Sequence, residues 1–298
     1  MQITIGSRGS DLALWQAHFV RDELQKLGHE VTIKIIVTKG DKIQDLSFDK
    51  IEGKGFFTKE IEDSLLNKEI DLAVHSHKDL ETTNPEGLLI GAVSYRENPT
   101  DQLLIKKSSV DQNQPIQLKQ DAIVGTSSAR RKSQLLRMRE DVKVKDLRGN
   151  VPTRINKLRQ GDYDAIILAT AGIKRLELDL SDLHTLELDP TQFVPAPAQG
   201  VLGLQIRESD DEIRTVLEAL NHPEVATAIK IERDVLRLLE GGCQLPLGVY
   251  SEKLNDTWKI HVSFSPDKDI PAEVSVYETT SIDNIADVIV EDLKSEEI

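Results

Sequence analysis

The sequence predicts an α/β protein with two α/β domains, the second built on a mainly parallel sheet, and a smaller α+β domain at the C-terminal end. Three observations carry this reading. Short apolar strand patterns alternate with helical ones from the first residues onward, the alternation restarts after "RENPTD", and beyond residue 219 the order changes to one long helix, alternating strands and a last helix.

The first unit of the alternation is "QITIGS", a helical pattern from Asp11 to Leu27 closed by Gly28, and "VTIKIIV". "DLAVHS" and "LLIGAV" are further strands. Thr58 opens a helix in which Ile61 stands where a capping box would place Glu or Gln. After "RENPTD" come "AIVG", a helix from Ser127, "VKV", a helix from Pro152 to Gln160 ended by Gly161, "YDAIILA", and a helix from Ala171. Two segments read as connections, Arg96 to Thr100 and "VPAPAQG" from Val194 to Gly200, because proline forbids helix there. The expected domains are 1–96 with 200–218, then 97–199, then 219–298, with a ligand cleft between the first two. In the last, Val225, Ala228, Ile229, Val235, Leu236 and Leu239 fall at helical spacing. "WKIHVSF" sets Trp258, Ile260, Val262 and Phe264 on one face of a strand, and an amphipathic helix from Ile282 to Leu293 closes the chain.

At 298 residues, 39% hydrophobic and 30% charged, the composition is that of a soluble globular protein. The start "MQITIGSRGSDLALWQ" has no basic segment followed by an apolar run, and no stretch reaches the ~18 apolar residues of a membrane span, so the cytoplasm is the expected location. A net charge of −14 speaks against nucleic acid as a partner. The charge is uneven, however. Residues 130–159 hold eleven Lys or Arg against three Asp or Glu, a surplus of 8 that leaves the remainder at −22. Such a concentration suits a small polyanion.

Arginines recur at helix starts, in "GTSSARR" (Arg130, Arg131), "LRGNVPTR" (Arg148, Arg154) and "AGIKR" (Arg175). There backbone N–H groups and guanidinium forks can converge on one carboxylate or phosphate. "AVHSHKDL" places Lys78 and Asp79 just after a strand, where catalytic groups of α/β domains tend to lie; a surface ion pair is the plainer reading. His75 and His77 share a strand face, but no third ligand is near, and no metal is expected. "EGKGFFTKE", with Lys54 and Lys59, reads as a mobile lid or a connecting loop. The only cysteine, Cys243, sits in "LEGGCQLPLG", a turn that presents a group for chemistry rather than packing one.

Taken in order, "GSRGSDLALWQA", "GKGFFTKE", "VHSHKDL", "GTSSARR", "LRGNVPTR", "AGIKRL", "PAPAQG" and "ERDVLRLLEGGCQLPLG" closely resemble the porphobilinogen deaminase, or hydroxymethylbilane synthase, family, from end to end. The resemblance implies two domains like those of periplasmic binding proteins plus the α+β domain, acting as a monomer. It implies a dipyrromethane cofactor joined by a thioether to Cys243, onto which porphobilinogen molecules are condensed with loss of ammonia. Because each pyrrole carries an acetate and a propionate, the growing chain is a polyanion. Asp79 takes the place of the family's catalytic aspartate, contacting pyrrole N–H groups and stabilising the cationic azafulvene that follows ammonia loss. Lys78, Thr126, Ser128, Arg130 and Arg131 match cofactor contacts. Arg8, Ser10, Ser76, Arg148 and Arg154 match substrate contacts, and Arg175, Gln199 and Gly200 line the substrate side of the cleft. Lys54 and Lys59 match the lid. His77 and Glu81 depart from the family pattern, which is usually apolar at the first and proline at the second. The rival reading is an anion-binding protein of the same fold without catalysis; Cys243, Asp79 and the start of the chain argue against it.

Overall fold

Two five-stranded sheets and one three-stranded sheet organise the chain in the computed structural model, which describes residues 1–42, 58–240 and 245–295. The first segment supplies β1 (Gln2–Ser7), α1 (Asp11–Lys26), β2 (Glu30–Ile35), a short α2 (Lys39–Lys42), α3 (Lys59–Leu66), β3 (Leu72–Ser76) and β4 (Leu88–Val93). Helix α1 forms where the sequence supplies both ends: Ser10 accepts from Ala13 N at 3.4 Å, Asp11 stands in the first turn and Lys26 in the last. Its buried stripe of Ala17, Val20 and Leu24 packs on Ile3, Ile5, Leu72 and Val74 of the sheet.

From Asn98 the chain belongs to a second compact unit, Asn98–Gln199 with Ala228–Ile298; the first unit is Met1–Glu97 with Gly200–Thr227. The second opens with β5 (Asp101–Lys106), β6 (Ile123–Gly125), α4 (Ala129–Met138), β7 (Lys143–Lys145), α5 (Val151–Gln160), β8 (Ala165–Ala169), α6 (Thr170–Arg175) and β9 (Leu183–Glu187). Strand order is β7-β6-β8-β5-β9, and β5 runs against β8 and β9 while the rest are parallel. The chain then supplies β10 (Leu202–Arg207) and α7 (Asp211–Leu217) to the first unit, whose order is β2-β1-β3-β10-β4 with β10 antiparallel to both neighbours. In each sheet the reversed strand is the first one after the chain passes between units. Helix α4 starts two residues later than Ser127 because Ser128 is its cap, accepting from Arg131 N at 3.4 Å.

The last part comprises α8 (Pro223–Leu238), an antiparallel sheet of β11 (Leu247–Leu254), β12 (Thr257–Phe264) and β13 (Glu273–Thr279), and α9 (Ile285–Ser295). Val235, Val249, Trp258, Ile260, Val262 and Ile289 form its core. It is bound to 98–199 by specific contacts. The buried Glu232 carboxylate accepts Ala198 N at 2.7 Å and Ser251 N at 2.9 Å, Val249 N donates to Pro195 O at 3.0 Å, and Ala272 N donates to Ser133 O at 3.0 Å. Lys132 pairs with Asp269. No helix among the described residues is long and apolar enough to cross a membrane.

Candidate anion-binding and catalytic site

In the first unit the expected residues gather where strands end. Arg8 and Ser10 follow β1, Ser76 ends β3, and Lys78 and Asp79 lie in the 3-10 turn His77–Asp79 directly after it. Gln16 of α1 donates to Ser76 Oγ at 2.8 Å, which ties the helix that follows β1 to the end of β3. Asp79 is exposed, whereas His77 behind it is buried and packs toward Gly203, where an added Cβ would lie 3.1 Å from the imidazole. An apolar residue's place is thus filled by an imidazole facing inward. His75 is a core residue: its Nε2 meets Gln205 Oε1 at 3.1 Å, and burial drives its pKa down to about 4. Among the described residues no group of His, Cys, Asp and Glu could hold a metal ion. Gly200 precedes β10 with φ +90°, and a Cβ there would stand 2.3 Å from Glu97 O, so only glycine allows this close approach of backbone to backbone.

In the second unit the loops after β6, β7 and β8 carry the expected set. Ser128 caps α4, and its N–H donates to Thr126 Oγ1 at 3.2 Å. Arg130 and Arg131, in the first turn of α4, point inward and are about 95% buried, with exposures of 5% and 6%. Between them lies Asp101, fully buried at the head of β5. Its Oδ2 is 2.7 Å from Arg130 Nη1 and its Oδ1 2.7 Å from Arg131 Nη2. Burial alone would raise the Asp101 carboxyl; the two guanidinium groups outweigh it and hold the group well below the usual carboxylate range. Burial pulls Arg130 down from the usual arginine value. Two cations around one anion leave one positive charge over. Uncompensated charge in such a place costs several kcal/mol (~3–5). The first turn of α4 holds no acid, so the backbone dipole adds to the same sign. An anion brought here is attracted by both.

Arg148 and Arg154 flank the N-terminus of α5. Asn150 caps that helix, accepting from Thr153 N at 2.9 Å, and Arg154 Nε donates to Gly149 O at 2.7 Å. Arg175 is buried at the end of α6. Gln199, also buried, donates through Nε2 to Pro99 O at 2.7 Å and to Asp101 Oδ1 at 3.1 Å. Lys59 is exposed at the first position of α3. Cys243, Lys54 and most of the expected lid lie outside the described residues.

Sequence reasoning missed Asp101, whose only mark is a carboxylate heading the apolar run "DQLLIK". It also took the basic window as one region of surplus charge for a polyanion. Much of that charge is already paired: Arg139 with Asp141, Arg159 with Asp182 and Lys132 with Asp269, besides the Asp101 cluster.

The model of the porphobilinogen deaminase dipyromethane cofactor binding domain matches residues 3–215, and that of the porphobilinogen deaminase C-terminal domain matches 226–280. Curated relatives named porphobilinogen deaminase include that of a Nitratiruptor species, 46% identical over 86% of this chain and 80% of its own. That of Maridesulfovibrio salexigens is 44% identical over 96% and 92%, and that of Oceanobacillus iheyensis 47% over 84% and 80%. Among solved structures, the periplasmic VFT2 domain of Bordetella pertussis BvgS overlaps 78% of this chain and 93% of its own at 13% identity and TM-score 0.43, a likeness that carries no functional weight. Family matches that run through both units, with relatives at this identity over most of their length, make this chain a member of the porphobilinogen deaminase family.

Proposed function

We propose that the chain is a hydroxymethylbilane synthase: it joins four porphobilinogen molecules head to tail on a dipyrromethane primer, releasing ammonia at each addition, and hydrolyses the linear tetrapyrrole free. It is a transferase, and dipyrromethane is its cofactor. The observation that carries the reading in the structure is the buried Arg130–Asp101–Arg131 cluster, which has one positive charge to spare at an acid-free helix start. A pyrrole side-chain carboxylate suits that surplus in charge and in its two-oxygen geometry.

The residues of this chain then divide the work. Arg130, Arg131, Ser128, Thr126 and Lys78 hold the primer's carboxylates, and Cys243 anchors it through a thioether. Bound there, the primer supplies the pyrrole carbon to which the incoming unit is joined. Arg8, Ser10, Ser76, Arg148 and Arg154 bind substrate, with Arg175, Gln199 and Gly200 beside them, and Lys54 and Lys59 cover it. Asp79, exposed at the end of β3, accepts pyrrole N–H hydrogen bonds and sets negative charge beside the cation that develops as ammonia leaves. We read the chain as three domains, 1–96 with 200–218, 97–199 and 219–298, and as a cytoplasmic monomer that acts on a small molecule, with neither nucleic acid nor membrane as partner; the net charge of −14 supports the exclusion of nucleic acid.

The test is chemical. Purified protein should consume porphobilinogen with equimolar ammonia release and should exceed its sequence mass by one dipyrromethane, while Cys243→Ser shows the bare mass. An inert wild type defeats the function; an active wild type at bare mass defeats only the thioether.

A further inference from the structure

Asp101 heads β5, and its partners all belong to the proposed site. Beyond the two short contacts to Arg130 and Arg131, its Oδ1 accepts Arg131 Nε at 3.2 Å and Gln199 Nε2 at 3.1 Å. Each arginine is also tethered to a backbone carbonyl, Arg130 Nη1 to Val194 O at 2.8 Å and Arg131 Nη1 to Ile167 O at 3.0 Å. Without a carboxylate between them, two buried guanidinium groups would repel each other and turn apart; with it, both planes are fixed. Asp101 offsets one of the two guanidinium charges, and the second is left to attract a further anion. Asp101 also draws on three separate parts of the chain: strand β5, helix α4 and the segment ending at Gln199.

We propose that Asp101 is a positioning residue for the reaction. It holds Arg130, Arg131 and Gln199 in one frame that receives a single carboxylate of the pyrrole chain, and it neutralises one of the two guanidinium charges so that one carboxylate is the matching ligand. It acts through the arginines and does not touch the reacting atoms. The inference rests on the hydroxymethylbilane synthase reading.

The test uses the full chain as wild type, Asp101→Asn and Asp101→Glu. The fraction of molecules carrying the dipyrromethane mass is read for each, along with KM and kcat normalised to that fraction. Asp101→Asn keeps the shape and loses the charge. It should retain its circular dichroism, drop in occupancy at least about tenfold, and show a raised KM with kcat within about threefold. Asp101→Glu keeps the charge and should recover at least about threefold of that occupancy while staying below wild type. A merely structural role would lower the melting temperature and leave occupancy and KM at wild-type values in Asp101→Asn, which overturns the proposal. If the Asn variant does not fold, Asp101→Glu decides: a raised KM at unchanged kcat supports the frame, and wild-type values overturn it. If neither folds, Asp101 is a folding residue and the proposal falls. A wild type that neither carries the mass nor consumes porphobilinogen sinks the functional reading and the proposal together, whereas an occupied wild type beside an equally occupied Asp101→Asn sinks the proposal alone.

Discussion

Asp79 and Arg131 illustrate two ways in which one charged side chain can serve this site. Asp79 is exposed at a strand end, free of the burial that would fix it, and its proposed value lies in the negative charge it offers a developing cation. Asp79→Asn keeps the shape and one acceptor oxygen. Loaded beforehand with preformed tetrapyrrole and checked by mass, it should add porphobilinogen in a single turnover at least ~100-fold more slowly, equivalent to about 3 kcal/mol. Near-normal addition would reduce Asp79 to a surface charge. Arg131 is the opposite case, buried and held by Asp101, and its proposed role is in binding. Arg131→Ala should leave the protein largely without cofactor, since breaking a buried charge pair costs roughly 3–5 kcal/mol. Arg154→Ala should keep the cofactor mass and slow substrate addition. Equal occupancy in Arg131→Ala and wild type would refute this division.

At the scale of elements, the passage between units depends on backbone conformations that few residues tolerate. Gly200→Ala must place a Cβ 2.3 Å from Glu97 O at φ +90°. Thermal unfolding should show a loss of at least about 2 kcal/mol. An unchanged melting temperature would mean that the segment relaxes freely. Much of the element structure was legible in the sequence, because strands buried on both faces, such as "AIILA" of β8, must read as apolar runs, and because helix ends announce themselves through Gly28 and Gly161. The direction of a strand leaves no such trace. Nothing in "LGLQIR" or "DQLLIK" says that β10 and β5 run against their neighbours, since alternation and burial are the same both ways. The expected residues were read by type and by their place after strands, from resemblance and local pattern together, and the structure puts the described ones at strand ends and helix starts. The Asp101 cluster was not legible, because it joins residues 30 positions apart through a burial that no local pattern records.

Over the whole molecule, stability should depend on acid through groups held neutral rather than through the net charge of −14. Both units bury histidine, His75 and His77 in the first and His261 in the second. His75 in the first is driven by burial down to about 4. His261, on β12 in the second, is likewise lowered by burial; Glu252, 3.8 Å away, and Asp189 oppose that shift, and Lys259 adds to it. In the unfolded chain both would titrate near 6.5. The sign follows from these values. A folded pKa below the unfolded one means that the unfolded state binds more protons in between, so the stabilisation is complete above about 6.5 and is lost as pH falls toward the folded pKa. For His75 the window is about 6.5 down to about 4, and by pH 5 the loss relative to pH 8 comes to roughly 2 kcal/mol. Denaturant midpoints taken from pH 8 to pH 5 should therefore fall steadily. In His75→Gln, whatever its absolute stability, the fall should be shallower by about that amount, because the side chain that must charge on unfolding is gone. A pH slope in His75→Gln equal to that of wild type would show that His75 keeps its proton in the fold, which would require Gln205 to accept from a charged imidazole and would move the acid sensitivity of the first unit to its other groups.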